Sequence, residues 1–271
     1  LWAAPEWATK VLDEESGRVT IGPLTEVVAQ RHQFHDLRAA LPDGPRVGFI
    51  AHECALRGQR IPDDLANPLE VPFELQSWEP SYCLAEYSDD GVDAPAPPLP
   101  ESAQFVDMLD EMGDQIGERS ADIIDDPEVT LAVRQLIEPW TASSNGRAEI
   151  VAVEGTAAGA VTSLGVTAGR LARIAPATAL AWLAWAGASG GAHGRRRGAA
   201  IGRFGAWWTV ASLADLGAHW PLEPDELGDA VAALEWYWWD AGEPRAGWEL
   251  QLAVADPAEG YAWAISAHDA A

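Results

Sequence analysis

Residues 235–265, EWYWWDAGEPRAGWELQLAVADPAEGYAWAI, decide the fold class. Trp248, Leu250, Leu252 and Val254 alternate with Glu249, Gln251 and Ala253, and Tyr261, Trp263 and Ile265 alternate with alanines and Ser266. A period of two marks a strand, because successive side chains point to opposite faces. The preceding residues 235–240 are strongly aromatic. The connections 241–247 and 256–260 are short enough for antiparallel hairpins. The stretch therefore predicts a C-terminal three-stranded antiparallel meander. On a strand, the rings of Trp236, Tyr237, Trp238 and Trp239 alternate between faces, so some would pack on helices and others look outward to stack on a ligand or partner.

Upstream the periodicity turns helical. Pro176 opens a nearly all-apolar helix through Ala188, the segment 189–194 breaks it, and a second helix runs through Phe204, Trp207, Trp208, Ala211 and Leu216. Pro224 opens another, with Leu227, Val231 and Leu234 on one face. Asp126 is the N-cap and Pro127 the first residue of a helix burying Val129, Val133, Leu136, Ile137 and Trp140. Phe105, Met108, Leu109, Met112 and Ile116 form an apolar stripe on one more helix, and Ala148–Val153 reads as a short strand. Helices segregated from an antiparallel meander make an α+β fold.

The N-terminal part is different in kind. Residues 1–140 hold 28 acidic and 9 basic side chains but only four of the fourteen tryptophans. Residues 24–41 carry one loose helical period ended by Pro42 and Gly44, residues 47–50 suit either strand or helix, and the prolines between Ile61 and Pro80 imply extended segments and turns. The run Ala94-Pro95-Ala96-Pro97-Pro98-Leu99-Pro100 reads as a stiff connector. The expected organisation is an acidic region of mixed helix and extended segments over 1–93, a linker over 94–100 and a tryptophan-rich α+β domain over 101–271.

The whole chain of 271 residues has a net charge of −25, from 42 acidic and 17 basic residues. Such a charge opposes nucleic acid and anionic lipid. The longest apolar stretch, 175–188, is shorter than the ~20 residues a membrane span needs. Cys54 and Cys83 are the only cysteines, too few for a disulfide framework or a four-cysteine metal site. No basic segment followed by an apolar one opens the chain, so a cytoplasmic protein is expected. Neither a P-loop nor a dinucleotide fingerprint occurs, and no cofactor is implied.

Chemistry concentrates in Ser189-Gly190-Gly191-Ala192-His193-Gly194-Arg195-Arg196-Arg197-Gly198, with Arg203 further on. A glycine loop entering a helix presents unpaired N–H groups at the positive end of its dipole. Arginines there add planar, permanently charged forks. Gly190, Gly191 and Gly194 would admit close backbone approach, Arg195, Arg196, Arg197 and Arg203 would hold charge, and His193 would donate a hydrogen bond or sense pH. The competing reading pairs these arginines internally, with Asp107, Asp110 or Glu111. Gly187-Ala188-Ser189-Gly190-Gly191 also fits G-x-S-x-G, with Asp240 or Asp256 and His268 to complete a triad, but an alanine-rich helix stands where that motif needs a strand. His32, His35, His52 and Cys54 would make a zinc set if the two segments met; no metal site is assigned.

Ser144-Asn145-Gly146-Arg147-Ala148-Glu149, the stretch Ala181–Gly198, and Arg203-Phe204 with Trp207-Trp208 resemble an uncharacterised bacterial domain family. The likeness spans roughly residues 140–271 and brings no activity, so no residue inherits a role from it. The leading functional expectation is a binding or regulatory protein that takes a small anion, or an acidic group of a protein partner, at the Gly/Arg loop 189–203. The alternatives are an enzyme acting on a phosphate- or carboxylate-bearing small molecule, and an acidic neutralising partner, of the immunity type, for a basic protein.

Overall fold

The computed structural model describes residues 22–41, 44–108, 121–244 and 246–270. The expected meander is there: β7 (Glu235–Asp240), β8 (Trp248–Asp256) and β9 (Tyr261–Asp269) pair in antiparallel register, with Trp236 opposite Val254 and Val254 opposite Trp263. It is the centre of a larger sheet. β5 (Arg147–Glu154) adds to β9, and β4 (Asp122–Ile124) to β5. On the other side β6 (Arg170–Ile174) adds to β7, and β3 (Val106–Asp107) to β6. The order is β3-β6-β7-β8-β9-β5-β4, antiparallel throughout. The class is α+β. A separate hairpin, β1 (Glu86–Ser88) with β2 (Gly91–Asp93), lies in the N-terminal part.

The alternation that predicts the strands also sorts the core. Trp236, Trp238, Leu250, Leu252, Val254, Trp263 and Ile265 share one face, packed with Leu180, Trp182, Leu183, Trp207 and Val210 from the helices. Trp182 stacks on Trp238 at 4.4 Å between ring centroids. These helical residues come from α7 (Pro176–Ala188) and α8 (Ala199–Leu213), and α4 (Pro127–Leu136), α5 (Glu138–Ala142) and α9 (Pro224–Ala233) add Val129, Trp140 and Leu227 to the same core. Asp126 caps α4 as expected, its side chain accepting from the Val129 N–H. On the opposite face Tyr237 and Trp239 lie against Ala253, Ala255, Ala262 and Ala264, under α6 (Ala157–Ser163). All four rings of the run 236–239 are buried, so none is left outward for a ligand.

Among the described residues, three helices form the N-terminal layer: α1 (Pro23–Arg31), α2 (Phe34–Ala40) and α3 (Pro45–Leu56). Val28, Phe34, Leu37, Val47, Ile50 and Cys54 make its own small core. The single helix expected over 24–41 is two, and residues 47–50 are helical. Residues 57–85 are turns and extended chain that carry Leu69 and Val71 into the main core. The helix expected around 105–116 falls largely outside the described residues. Where it is described, Val106–Asp107 is an edge strand and Met108 is buried. No helix among the described residues is long and apolar enough to cross a membrane.

Candidate functional site

The loop between α7 and α8 brings positive groups together as the sequence implies, and most of them meet carboxylates of the same chain. At the start of α8 the Ala199 N–H donates to Glu26 Oε1 at 3.1 Å and the Ala200 N–H to Glu53 Oε1 at 2.9 Å. Arg196 grips Glu26 with Nε and Nη2, at 2.8 and 2.9 Å. Tyr87 donates its hydroxyl to Glu26 Oε2, and Arg57 pairs with Glu53 at 3.0 Å. Glu26 and Glu53 are buried, so α1 and α3 supply the anions that a helix N-terminus attracts. Burial, and then the neighbouring Glu26 charge, raises the Glu53 carboxyl from 4.5 to about 7. Burial acts to lower the Arg196 guanidinium, but its hydrogen bonds to Glu26 and that carboxylate's charge hold it above its usual range.

Arg203 is 1% exposed. It is bonded to Glu79 through Nε and Nη2 at 2.7 and 2.6 Å, and to the carbonyls of Pro72 and Glu74. Tyr82 and Trp207 donate to the same Glu79 oxygen. Burial acts to raise the Glu79 carboxyl, yet Arg203, the Gln76 N–H and the Tyr82 hydroxyl hold it below the ordinary carboxylate range. Arg197 reaches three backbone carbonyls, Gly187 at 3.0 Å, Gln135 at 3.1 Å and Leu136 at 2.9 Å, and so caps the C-terminal ends of α7 and α4. Internal pairing therefore takes Arg196 and Arg203, but through Glu26 and Glu79. Of the carboxylates expected for this role, Asp107 sits on the edge strand β3, and Asp110 and Glu111 lie outside the described residues.

The glycines serve the loop's own closure. Asp269, fully buried on β9, accepts from the Ala192 N–H at 2.6 Å and from Ser144 Oγ at 2.9 Å; Ser144 Oγ in turn accepts from the His193 N–H. Gly191 has φ +69°, and a Cβ there would collide with Asp269 Oδ2. Gly190 and Gly194 press on each other's carbonyls, and His193 is exposed.

The other two constellations do not assemble. Ser189 follows a helix rather than a strand, and its Oγ accepts from the Gly191 N–H. Asp240 pairs with Arg170, Asp256 caps its own turn, and His268 is exposed on β9. For zinc, His52 and Cys54 lie two apart on a helix and so point in different directions. His52 Nε2 donates to Asn67 Oδ1, an oxygen that also accepts from the Leu69 and Glu70 N–H groups. Burial holds the His52 imidazole down at about 4 and pushes the Cys54 thiol up to about 12. No three His, Cys, Asp or Glu side chains gather as a metal set among the described residues.

What stays open to a ligand is the outer side of the arginine run. A cleft of about 470 Å³ has Arg195, Arg196, Arg197 and Ile201 on one wall and α5, with Glu138 and Pro139, on the other. Arg195 is exposed, and Glu138, itself 68% exposed, stands 3.8 Å from Arg197 Nη1. Glu26, Glu53 and Glu79 were not singled out from sequence. A signal did exist for Glu53, which with Arg46 is the only Asp, Glu, Lys or Arg in the otherwise apolar run 45–56.

No curated protein and no solved structure matches the chain. A family model does match, over residues 3–271, and so extends across the acidic N-terminal part as well as the section from 140 onward that carries the resemblance. With that coverage, the chain belongs to the family described as Family of unknown function (DUF6183).

Proposed function

We propose that the protein binds an anionic group, of a small molecule or of a partner, in the cleft between α5 and the residues 195–201. The observation that supports this reading is electrostatic. On a chain of net charge −25, three consecutive arginines border one open cleft whose only carboxylate among the described residues is Glu138. Pro139 and Ile201 put an apolar residue on each wall of that cleft, so an anion entering it leaves part of its hydration behind and gains more from each cation. The roles of the arginines differ. Arg196 faces Glu26 and holds the wall in place; Arg195 and the exposed edge of Arg197 meet the ligand.

Arg195 is the residue to remove, because Arg196→Ala would strand the buried Glu26 and disturb the fold itself. Thermal unfolding, read by tryptophan fluorescence, should show a midpoint that rises with inorganic phosphate or a sugar phosphate. At about 100 times the Kd the added stability is about 2.7 kcal/mol. Arg195→Ala should lose most of the rise, measured from its own ligand-free midpoint. A rise that persists unchanged in Arg195→Ala would place binding elsewhere and remove this reading.

A further inference from the structure

A second cleft, of about 700 Å³, lies on the other side of Glu138 and is lined by Arg134, Arg147, Thr141 and Gly146. Both arginines are exposed and neither forms an ion pair among the described residues. Both sit on fixed elements. Arg134 is in the last turn of α4, whose carbonyl end Arg197 caps. Arg147 is the first residue of β5, paired in register with His268 on β9. The Gly146 N–H bonds to the Trp140 carbonyl at 2.9 Å and turns the chain so that Arg147 emerges beside α5. The two clefts share Glu138 as a common wall. Among the described residues, five arginines thus line two adjoining clefts, and one acid, Glu138, does.

Resting on the anion-site reading above, we infer that the second cleft is a second anion subsite, and that the ligand is a small molecule carrying two anionic groups, such as a bisphosphate, that straddles Glu138. Two anchored groups on one molecule make the second contact intramolecular, which raises affinity beyond either contact alone. Glu138 has a part in this. Its carboxylate reaches Arg197 only at 3.8 Å, longer than a hydrogen bond, so it is a weak resident partner that an incoming phosphate displaces.

Calorimetric titration of the full chain with a hexose 6-phosphate and a hexose 1,6-bisphosphate tests this, in the unmodified protein and in Arg147→Ala, Arg195→Ala and Glu138→Gln. The bisphosphate should bind at least ten-fold tighter than the monophosphate. Arg147→Ala should bring the bisphosphate down to the monophosphate level and leave the monophosphate unchanged. Glu138→Gln should tighten both, and Arg195→Ala should weaken both. Equal affinity for the two probes, with both lost in Arg195→Ala, would overturn the second subsite and leave the first standing. An Arg147→Ala effect equal on both probes, or absent on both, would likewise overturn it. No binding of either probe to the unmodified protein or to Glu138→Gln would remove both readings together.

Discussion

Arg203 and Glu79 show how much one buried pair holds. The guanidinium is tied to a carboxylate, two carbonyls and the face of Trp207, and the Arg203 and Glu79 side chains are themselves shielded from water. Removing one partner leaves the other charge uncompensated, at a cost of about 3–5 kcal/mol. Arg203→Ala should lower the urea-unfolding free energy by that amount; a loss below 1 kcal/mol would mean water reaches Glu79 readily. Glu53 predicts a pH dependence. Its carboxyl is raised in the folded state to about 7 from an ordinary 4.5. The folded protein therefore binds this proton more tightly than the unfolded chain. The stability linked to it is complete below about pH 4.5 and is lost as pH rises through 7. Urea midpoints measured from pH 5 to 8 should fall on this account, and Glu53→Gln should flatten the fall; an unchanged slope would assign it to another group. The chemistry of the Gly/Arg loop was legible, since amides at a helix start and adjacent arginines do collect carboxylates. Their identity was not, because Glu26 lies 170 residues from Arg196 and no local pattern links them.

Among elements, the last two strands of the meander were legible because they alternate, α4 and α9 because a proline opens an apolar face, and α7 because a proline opens an apolar run; α8, with neither proline nor side-chain cap at its start, was legible from its apolar residues alone. The rest were set by distant partners. The break between α1 and α2 is satisfied by Gln59, whose side chain accepts from the Phe34 N–H at 2.6 Å and donates to the His32 carbonyl at 3.1 Å. Nothing within 24–41 announces a residue some 25 positions on. Strand β6, Arg-Leu-Ala-Arg-Ile, has neither clean alternation nor length; pairing with β7 makes it a strand. The junction of α8 with the N-terminal layer turns on Gly198, at φ +95°, where a Cβ would stand 2.8 Å from Glu53 Oε1. Gly198→Ala should therefore destabilise by more than about 1 kcal/mol and speed amide exchange at Ala199 and Ala200. Unaltered exchange there would show that the carboxylates do not depend on this approach.

At the scale of the molecule, chain from before the proline-rich segment 94–100 is held to α8 by Glu26, Glu53 and Glu79. A protease site placed between the exposed Pro95 and Ala96 should therefore yield, on cutting, two pieces that stay together on gel filtration at physiological salt. Pieces that elute apart would show that the connector itself carries the association. Long-range contacts of this kind impose an order on synthesis. Glu26 leaves the ribosome 170 residues before Arg196, and Ala192 leaves 77 residues before Asp269. At about 5–20 residues per second, Glu26 waits roughly 8–35 s for its cation. During that time α1–α3 have no α8 to dock on, and their acids stay hydrated. The groups that later anchor these helices to α8 are thus, until α8 is made, part of their hydrated surface.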